Sequence, residues 1–311
     1  MFIKDWFSIK DDEYKEKVRN AMEKILEVVV LKVNTETEAF QLFDSQNTRG
    51  KALYPHDLLK AYHLRAMQGN PHEMRHAVQK WEAVDAKKIS ELFEWYLFPI
   101  TNWAKQLNTK TFTAKEIDIY KGIAESTNYT YAKRAKKAIP YFQITEPFVE
   151  GEDYFDMVEY YLKMLDDIKL EISTNPKFIK LNEILKVKKG MGYNYTKNLF
   201  WCVLMFYYDR FHNFEEKAVK KLFLWAFMLR VDMERLGYDS INKYAIENGD
   251  TKQYSNSIPM FFRIAQSRLH TEIENIQINT YVEQQKLEKN TSWKNLYDDL
   301  LELKGDNKSE Q

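Results

Sequence analysis

Two lysine-rich clusters are the parts of this 311-residue sequence whose composition best suits binding chemistry. The first consists of Lys133, Arg134, Lys136 and Lys137, and the second of Lys186, Lys188 and Lys189. Tyrosines lie beside both clusters, and cations combined with stacking rings are typical of contacts with nucleic acids. We therefore predict these residues as DNA-binding positions. The alternative is that each cluster is a solvated helix face with scattered tyrosines.

A possible metal motif lies between His72 and His76, where the sequence matches H-E-x-x-H. On a helix this spacing points two imidazoles at a zinc ion, with the glutamate as a base. The context argues against such a site, because Asn70 and Pro71 place His72 at the very start of its helix and Arg75 adds a positive charge. We therefore expect a coincidence and predict no metal ligand.

The single cysteine, Cys202, excludes an intramolecular disulfide and a cysteine-based zinc cluster. It lies in an apolar run from Phe200 to Phe206, which predicts a buried and unreactive thiol. No Ser-His-Asp or Cys-His arrangement follows from the spacing of the remaining residues. We therefore predict no catalytic residue.

The overall composition is that of a soluble globular protein, with 44% apolar and 30% charged residues. The 46 basic and 46 acidic side chains cancel, which argues against a nucleic-acid footprint over the whole molecule but allows a local basic face. The apolar runs at 199–208 and 222–229 are too short to span a bilayer, and the amino terminus does not resemble a signal peptide. We therefore predict a cytoplasmic protein without membrane contact.

Helices dominate the predicted structure, since nine glycines and seven prolines leave few interruptions. Apolar side chains recur at helical spacing in most segments. We predict helices at 11–27, 35–46, 55–67, 72–84, 87–106, 114–126, 128–139, 152–171, 176–187, 194–211, 214–235, 239–248, 258–267 and 278–303. The fold class is therefore mainly α, a multi-helix assembly whose aromatic stripes around 200–207 and 222–227 form the core. The last helix is a candidate for self-association into a homo-oligomer or for docking a partner.

The exception is the segment 28–33, where valines and leucine occupy nearly every position. Such a run is typical of a strand buried on both faces. A single strand cannot satisfy its own backbone, and the only other extended segment expected is 141–149, beside Pro140 and Pro147. One hypothesis is that a companion chain supplies the missing sheet. The alternatives are pairing within the chain or continuation of the preceding helix.

A motif between Phe43 and Lys60 reads F-x-x-x-N-x-x-G-x-x-L-x-x-x-D-L-x-K. It resembles the domain-of-unknown-function family 262, which includes the ParB/sulfiredoxin-like nucleotidase part of GmrSD-type modification-dependent restriction enzymes. The aromatic segment from Phe142 to Tyr161 resembles the helical region that follows that domain. By itself the motif indicates two helices joined by a turn, in which Gly50 allows the positive φ that the change of chain direction needs. We call this arrangement a helix–turn–helix clamp. The resemblance implies instead a nucleotide or phosphate pocket formed by Asn47, Arg49, Gly50 and Lys60.

The chain departs from that family in two respects. The Asp-Gly-Gln-Gln-Arg motif, which the resemblance makes essential for nucleotide chemistry, is absent, and so is a histidine-rich ββα nuclease motif. The chain thus resembles only the latter, helical portion of such a protein, and we expect no complete catalytic site in it. A nucleoside triphosphate would bind only with a companion chain, and no other cofactor is expected.

The resulting expectation is a truncated or split protein of restriction or phage defence that acts as a helical scaffold, DNA-contacting or partner-binding module. The alternative is a subunit of a nucleotide-hydrolysing restriction enzyme that an upstream companion chain completes. Under either hypothesis, residues 1–110 are the end of the ParB/sulfiredoxin-like domain, 111–303 a helical domain and 304–311 a disordered tail.

Overall fold

The computed structural model describes residues 3–27, 30, 32, 38, 53–124, 143–187, 190–233, 235–247, 256–288 and 291–305. The chain divides into two compact units, Met1–Ala52 and Leu53–Gln311. Within the described ranges the secondary structure is helical and includes no strand, which confirms the mainly α class. None of the described helices is long and apolar enough to cross a membrane. The domain boundary predicted near residue 110 stays a prediction.

The first unit contains α1 (Ile3–Ser8) and α2 (Asp12–Lys24). The carboxylate of Asp11 caps α2 by accepting a hydrogen bond from the Tyr14 backbone N–H at 2.7 Å. Along its surface, Lys17 pairs with Glu13 one turn earlier at 2.7 Å. The helix predicted at 11–27 is therefore confirmed; it begins one residue later, at Asp12, and ends three residues earlier, at Lys24.

The buried strand predicted at 28–33 is wrong where the structure describes it. Only Val30 and Lys32 of that segment are described, and neither lies in regular secondary structure. The Val30 side chain is 74% exposed, so it is not buried on two faces. β-branched residues favour strands only where neighbours pack against them, and propensity alone does not provide those neighbours. The inference of a missing sheet thus loses its basis.

The second unit contains α3 to α15, together with two short 3₁₀ turns at Ile117–Tyr120 and Pro176–Phe178. The helices are α3 (Pro55–Ala66), α4 (Pro71–Glu82), α5 (Ala86–Glu91), α6 (Phe98–Ala104), α7 (Glu152–Thr174), α8 (Ile179–Lys186), α9 (Gly190–Phe211), α10 (Glu216–Asp232), α11 (Tyr238–Ile246), α12 (Met260–Gln266), α13 (His270–Glu274), α14 (Gln284–Glu288) and α15 (Thr291–Gly305). Most of the predicted helices are confirmed. The helix predicted at 128–139, and the one predicted at 35–46 apart from Glu38, lie outside the described residues.

The core is built around α9 and α10, which a short loop joins into a helical hairpin. Every side chain from Leu222 to Leu229 is at most 5% exposed, as expected for a helix covered on all sides. The rings of Phe223 and Phe227 stack at 4.2 Å, one turn apart. α12 packs on α9, and α15 packs on α10. The prediction that these aromatic stripes form the core is confirmed.

The helix predicted at 87–106 is interrupted by a π-helical turn at Leu92–Leu97. Its cause is Pro99, which has no N–H for the Trp95 carbonyl four residues earlier and whose ring clashes with that carbonyl. The turn widens, and the Phe98 N–H bonds to the Phe93 carbonyl, five residues back. A proline near the middle of the predicted helix was the sequence signal for this break.

The helix predicted at 114–126 is wrong over its described residues, 114–124, which form a 3₁₀ turn at Ile117–Tyr120 and no α-helix. After it, Ile123 forms an isolated parallel bridge with Val149. Gly122 permits the approach, since it has φ +73° and a Cβ there would lie 2.8 Å from the Phe148 carbonyl oxygen. The extended segment predicted near 141–149 is described from Gln143; it turns at 144–145, and its last residue, Val149, forms the bridge with Ile123.

The helix predicted at 278–303 is instead two helices, α14 and α15. Leu296 and Leu300 of α15 are buried within this chain, so these two side chains already have an intramolecular partner surface. Lys304, predicted in the tail, belongs to the last turn of α15. Residues 306–311 lie outside the described part.

His63 of α3 joins three segments of the second unit. Its Nδ1 accepts a hydrogen bond from the Gly151 N–H at 3.0 Å, so Nε2 carries the proton that it donates to the Tyr120 carbonyl at 2.8 Å. The imidazole also stacks on the Tyr154 ring at 4.0 Å. Burial lowers the pKa of His63 to about 4, because the charged form would lose its hydration. His63 is therefore a neutral structural residue.

Asp209 is a buried carboxylate on α9. It accepts hydrogen bonds from the Ile144 backbone N–H at 2.9 Å and from the Tyr161 hydroxyl at 3.0 Å. Burial raises the pKa of Asp209 to about 7, although these two bonds and the charge of Arg210 act in the opposite direction. The residue thereby fixes the turn at residue 144 to the core.

We predict that Asp209→Asn removes a loss of stability that the natural chain undergoes as the pH rises from about 3.8 to 7. The unfolded Asp209 ionises near 3.8 and the folded one near 7, so its stabilising contribution is present below pH 3.8 and is lost as the pH rises through 7. Relative to the natural chain, the variant should gain up to ~4 kcal/mol of unfolding free energy over this interval. Urea denaturation at several pH values measures the difference. The same gain in the exposed control Asp239→Asn would contradict this assignment.

For His63 we predict the opposite dependence. The unfolded imidazole binds a proton near pH 6.5 but the folded one only near 4, so stability is complete above 6.5 and is lost as the pH falls towards 4. The loss should reach ~3 kcal/mol, best measured by urea denaturation in the Asp209→Asn background, where the opposing carboxylate is absent. Nuclear magnetic resonance of the His63 ring follows the titration itself. An ordinary midpoint near 6.5 in the folded protein would refute the prediction.

Candidate lysine-lined cleft

A cleft of about 590 Å³ lies between the first turns of α10, the segment 276–280 and the end of α15. Its most prominent feature is a set of four lysines. The lining residues are Lys217, Lys220, Lys221, Leu224, Gln277, Ile278, Thr280, Leu301, Leu303 and Lys304. None of these described residues is acidic, so the walls combine positive charge with a few apolar side chains.

The helices place the lysines together for simple geometric reasons. Lys217, Lys220 and Lys221 are three and four residues apart, and this spacing puts them on one face of α10. The next residues along α10, beginning at Leu222, are buried in the core, so this basic face lies where the helix emerges from it. Packing of α15 on α10 then brings Lys304, in the last turn of α15, to the same cleft.

Two of the ammonium groups are held by the segment between them. The Lys221 Nζ donates a hydrogen bond to the Ile276 carbonyl at 2.8 Å, and the Lys304 Nζ donates one to the Thr280 hydroxyl at 2.8 Å. An ammonium group has three N–H donors, so each of these two bonds uses one. Lys220 pairs with Glu216, one turn earlier on α10, at 2.9 Å. The side chains are therefore partly ordered before any ligand arrives.

The positive charges of Lys221 and Lys304 repel each other in the cleft. The pKa of Lys221 is lowered, first by burial and then by the positive charge of Lys304, while Glu274 acts in the opposite direction. A lowered pKa means that the protonated amine is less stable here than in water. An anion placed between Lys221 and Lys304 would offset both causes. The arrangement is suited to binding an anion, and a phosphate oxygen can accept hydrogen bonds from the ammonium groups.

Comparison with known proteins gives one family. The model of a family of unknown function (DUF7834) matches residues 73–295, which is most of the chain and includes much of the lysine-lined cleft. The chain belongs to this family. No curated protein and no solved structure matches it.

Membership of DUF7834 corrects the resemblance drawn from the motif between Phe43 and Lys60. The chain is not shown to belong to the domain-of-unknown-function family 262, and that assignment is wrong. A turn motif with spaced apolar residues is compatible with any helix–turn–helix clamp, so it had little power to separate families. The GmrSD-type context and the companion chain lose the support that this resemblance gave them.

Most of the predicted site residues lie outside the part of this DUF7834 protein that the structure describes. They are Asn47, Arg49, Gly50, Lys133, Arg134, Lys136, Lys137, Lys188 and Lys189. Of the others, Lys186 is the exposed last residue of α8. Lys60 lies on α3 and pairs with Glu82 of α4 at 3.4 Å. The structure therefore brings none of the predicted residues together into a described site, and their binding roles stay predictions.

The H-E-x-x-H match lies in the first turns of α4, where His72 and His76 are both exposed. Asn70 caps this helix by accepting a hydrogen bond from the Glu73 N–H at 3.3 Å. Among the described residues, no group of three His, Cys, Asp or Glu side chains is arranged to hold a metal ion.

Sequence analysis missed the lysine-lined cleft of this DUF7834 protein. The i, i+3, i+4 spacing of Lys217, Lys220 and Lys221 is a recognisable helical signal, but the flanking apolar run dominated the interpretation of this segment. Nothing in the sequence around Lys304 predicted a binding role, since this residue was assigned to the disordered tail at 304–311. Its place in the cleft follows from the packing of α15 on α10, across more than 80 residues of sequence.

Cys202, in contrast, is fully buried as predicted. Its thiol donates a hydrogen bond to the Trp95 carbonyl at 3.0 Å, the carbonyl that Pro99 leaves without a helical partner. Burial raises the pKa of Cys202, although the nearby positive charge of Lys169 acts in the opposite direction. A protonated, enclosed thiol is a poor nucleophile.

We therefore predict that Cys202 does not react with a thiol reagent such as dithionitrobenzoate while the protein is folded. The reagent needs a thiolate at the surface, and Cys202 provides neither the exposure nor the ionised form. One thiol per chain should react rapidly in concentrated urea, and this serves as the positive control. Rapid reaction of the native protein at mildly alkaline pH would contradict the buried position.

Proposed function

We propose that this protein is a binding module for a phosphate-bearing polyanion, with DNA as the class of ligand, and that the lysine-lined cleft is its contact surface. The observation that carries the proposal is the convergence of Lys217, Lys220, Lys221 and Lys304 on one cleft without an acidic lining residue. Lysine ammonium groups are compact charges that neutralise phosphates and release counterions.

The arrangement of the lysines favours a polymer over a single small anion. Three of them follow one face of α10, and the fourth enters from α15, so the charges are distributed along the walls of the cleft. A chain of phosphates can interact with several of these groups at once. The apolar side chains of Leu224 and Leu301 offer contacts to the less polar sugar and base portions.

Packing and hydrogen bonds within the second unit hold the lysine-lined cleft in one shape, which supports the proposal. The two surfaces that carry the lysines are held by the packing of α15 on α10, which buries Leu300 completely. The segment 276–280 is tied to the rest by the Lys221 and Lys304 hydrogen bonds. Charges on elements fixed in this way lose less side-chain entropy when a ligand binds.

The proposal predicts that the double variant Lys221→Gln/Lys304→Gln binds DNA more weakly. Glutamine keeps a donor for the Ile276 and Thr280 acceptors but removes both charges. Fluorescence anisotropy with a short labelled oligonucleotide, repeated over a range of salt concentrations, measures the effect. The dissociation constant should rise about tenfold or more, and the slope of log K against log salt should decrease by roughly one to two.

The matched control is Lys163→Gln, which removes an exposed lysine that pairs with Asp167 on α7. This variant should bind DNA like the natural chain and with the same salt dependence. Inorganic polyphosphate should compete for the natural protein if phosphate charge provides the affinity. Equal binding by the double variant and the control, or no binding by the natural chain at low salt, would overturn the proposal.

A further inference from the structure

A second cleft, of about 380 Å³, lies between the π-helical turn at Leu92–Leu97 and the first turns of α9. It is separate from the lysine-lined cleft and shares no lining residue with it. Its lining residues are Glu91, Trp95, Tyr96, Asn194, Tyr195 and Asn198. Three rings, two side-chain amides and one carboxylate thus surround this space, which we call the π-turn cleft.

The wall that carries Trp95 and Tyr96 is held in place by α9. Because Pro99 cannot donate to the Trp95 carbonyl, Asn198 donates to it from Nδ2 at 3.1 Å and Cys202 from its thiol at 3.0 Å. Both donors belong to α9, the helix that forms the opposite wall. π-helical turns are frequently found at functional sites. Here the turn presents two neighbouring aromatic residues to one cleft.

Two of the lining side chains offer the π-turn cleft acceptor oxygens. The amide nitrogen of Asn198 is already engaged, so the amide oxygen is the group that this side chain retains for a ligand. The Glu91 carboxylate is an acceptor with two oxygens, and its ion pair with Lys87 is long, at 3.7 Å. A ligand that donates hydrogen bonds to these oxygens and presents a flat face to the rings would match this cleft.

The surrounding charges disfavour a cation as that donor. Lys169 lies over the Tyr96 ring at 5.3 Å, and Lys88 is close enough to repel it. With Lys87 beside Glu91, three lysines accompany the cleft, and Glu91 and Asp166 provide the opposing charges. The three lysines outnumber the two carboxylates by one, so an ammonium or guanidinium ligand would add to an existing excess of positive charge. A neutral, planar group with N–H donors would not.

We infer that the π-turn cleft binds the base of an unpaired nucleotide, specifically a purine with an exocyclic amino group. The base stacks on Trp95 and Tyr195, the two partly exposed rings, and its amino group donates to Glu91 or Asn198. Stacking on protein rings tolerates any base, whereas the acceptors favour one that carries an amine. This inference rests on the proposed binding of nucleic acid and specifies single-stranded regions as the target.

Adenosine is the probe for this site, because it carries the base without a phosphate. Ligand-observed nuclear magnetic resonance should detect its binding to the full chain, with loss of about fivefold or more in affinity for Trp95→Ala. Trp95→Phe, which keeps a ring, should retain most of the binding. Glu91→Gln leaves the rings in place and should weaken adenosine more than purine riboside, which lacks the amino group.

The outcomes separate this inference from the proposed function. Lys221→Gln/Lys304→Gln should bind adenosine like the natural chain, since those lysines belong to the other cleft. If polyphosphate binds but adenosine does not, the base site is refuted and the polyanion site stands. Equal adenosine binding by the natural chain, Trp95→Ala and Glu91→Gln has the same meaning. If adenosine binds as expected and oligonucleotides do not depend on the lysines, the polyanion site is refuted instead.

Discussion

Burial of α9 and α10 against each other is the interaction on which both clefts depend. Side chains from Leu222 to Leu229 are nearly inaccessible, and burying each leucine or phenylalanine contributes about 1.5–3 kcal/mol relative to exposure. Because α10 is covered on all sides at this level, its basic face is confined to the first turns. The lysine-lined cleft begins there, and the π-turn cleft lies against the first turns of α9. Two sites of different chemistry are thus positioned by one apolar hairpin.

Buried polar groups fix the irregular segments around this hairpin. His63 holds the turn at Tyr120 and the start of α7, and Asp209 holds the turn at Ile144. Their pKa shifts have opposite consequences, since a falling pH lowers stability through the neutral imidazole and a rising pH lowers it through the protonated carboxyl group. Segments without helical hydrogen bonds are therefore ordered by two groups whose contributions to stability change in opposite directions between about pH 4 and 7.

A single proline links local geometry to a candidate ligand site. Pro99 removes a helical hydrogen bond, the π-helical turn follows, and the Trp95 carbonyl takes its donors from Asn198 and Cys202 of α9. The buried thiol, which by itself suggests no chemistry, is thereby explained as a structural donor. The two clefts also suit ligands of different chemistry. One presents positive donors, and the other presents acceptors beside rings.

The sequence by itself determined the helical class, most helix positions, the burial of Cys202 and the aromatic core, because each of these depends on residue spacing within a few turns. The strand predicted at 28–33 was an inference from propensity, and Val30, which the structure describes, is 74% exposed and not buried on two faces. The interruption at Pro99 was available from the sequence, but only the structure supplied the donors that complete it.

Neither cleft could be read from spacing. Lys221 and Lys304 are distant in sequence, as are Trp95 and Asn198, and each pair converges through helix packing alone. The predicted DNA-binding and nucleotide-binding residues were chosen instead because they are adjacent in sequence. Tertiary structure decided which charges and rings share a cleft, because side chains are brought together across long separations by the burial of apolar faces elsewhere in the chain.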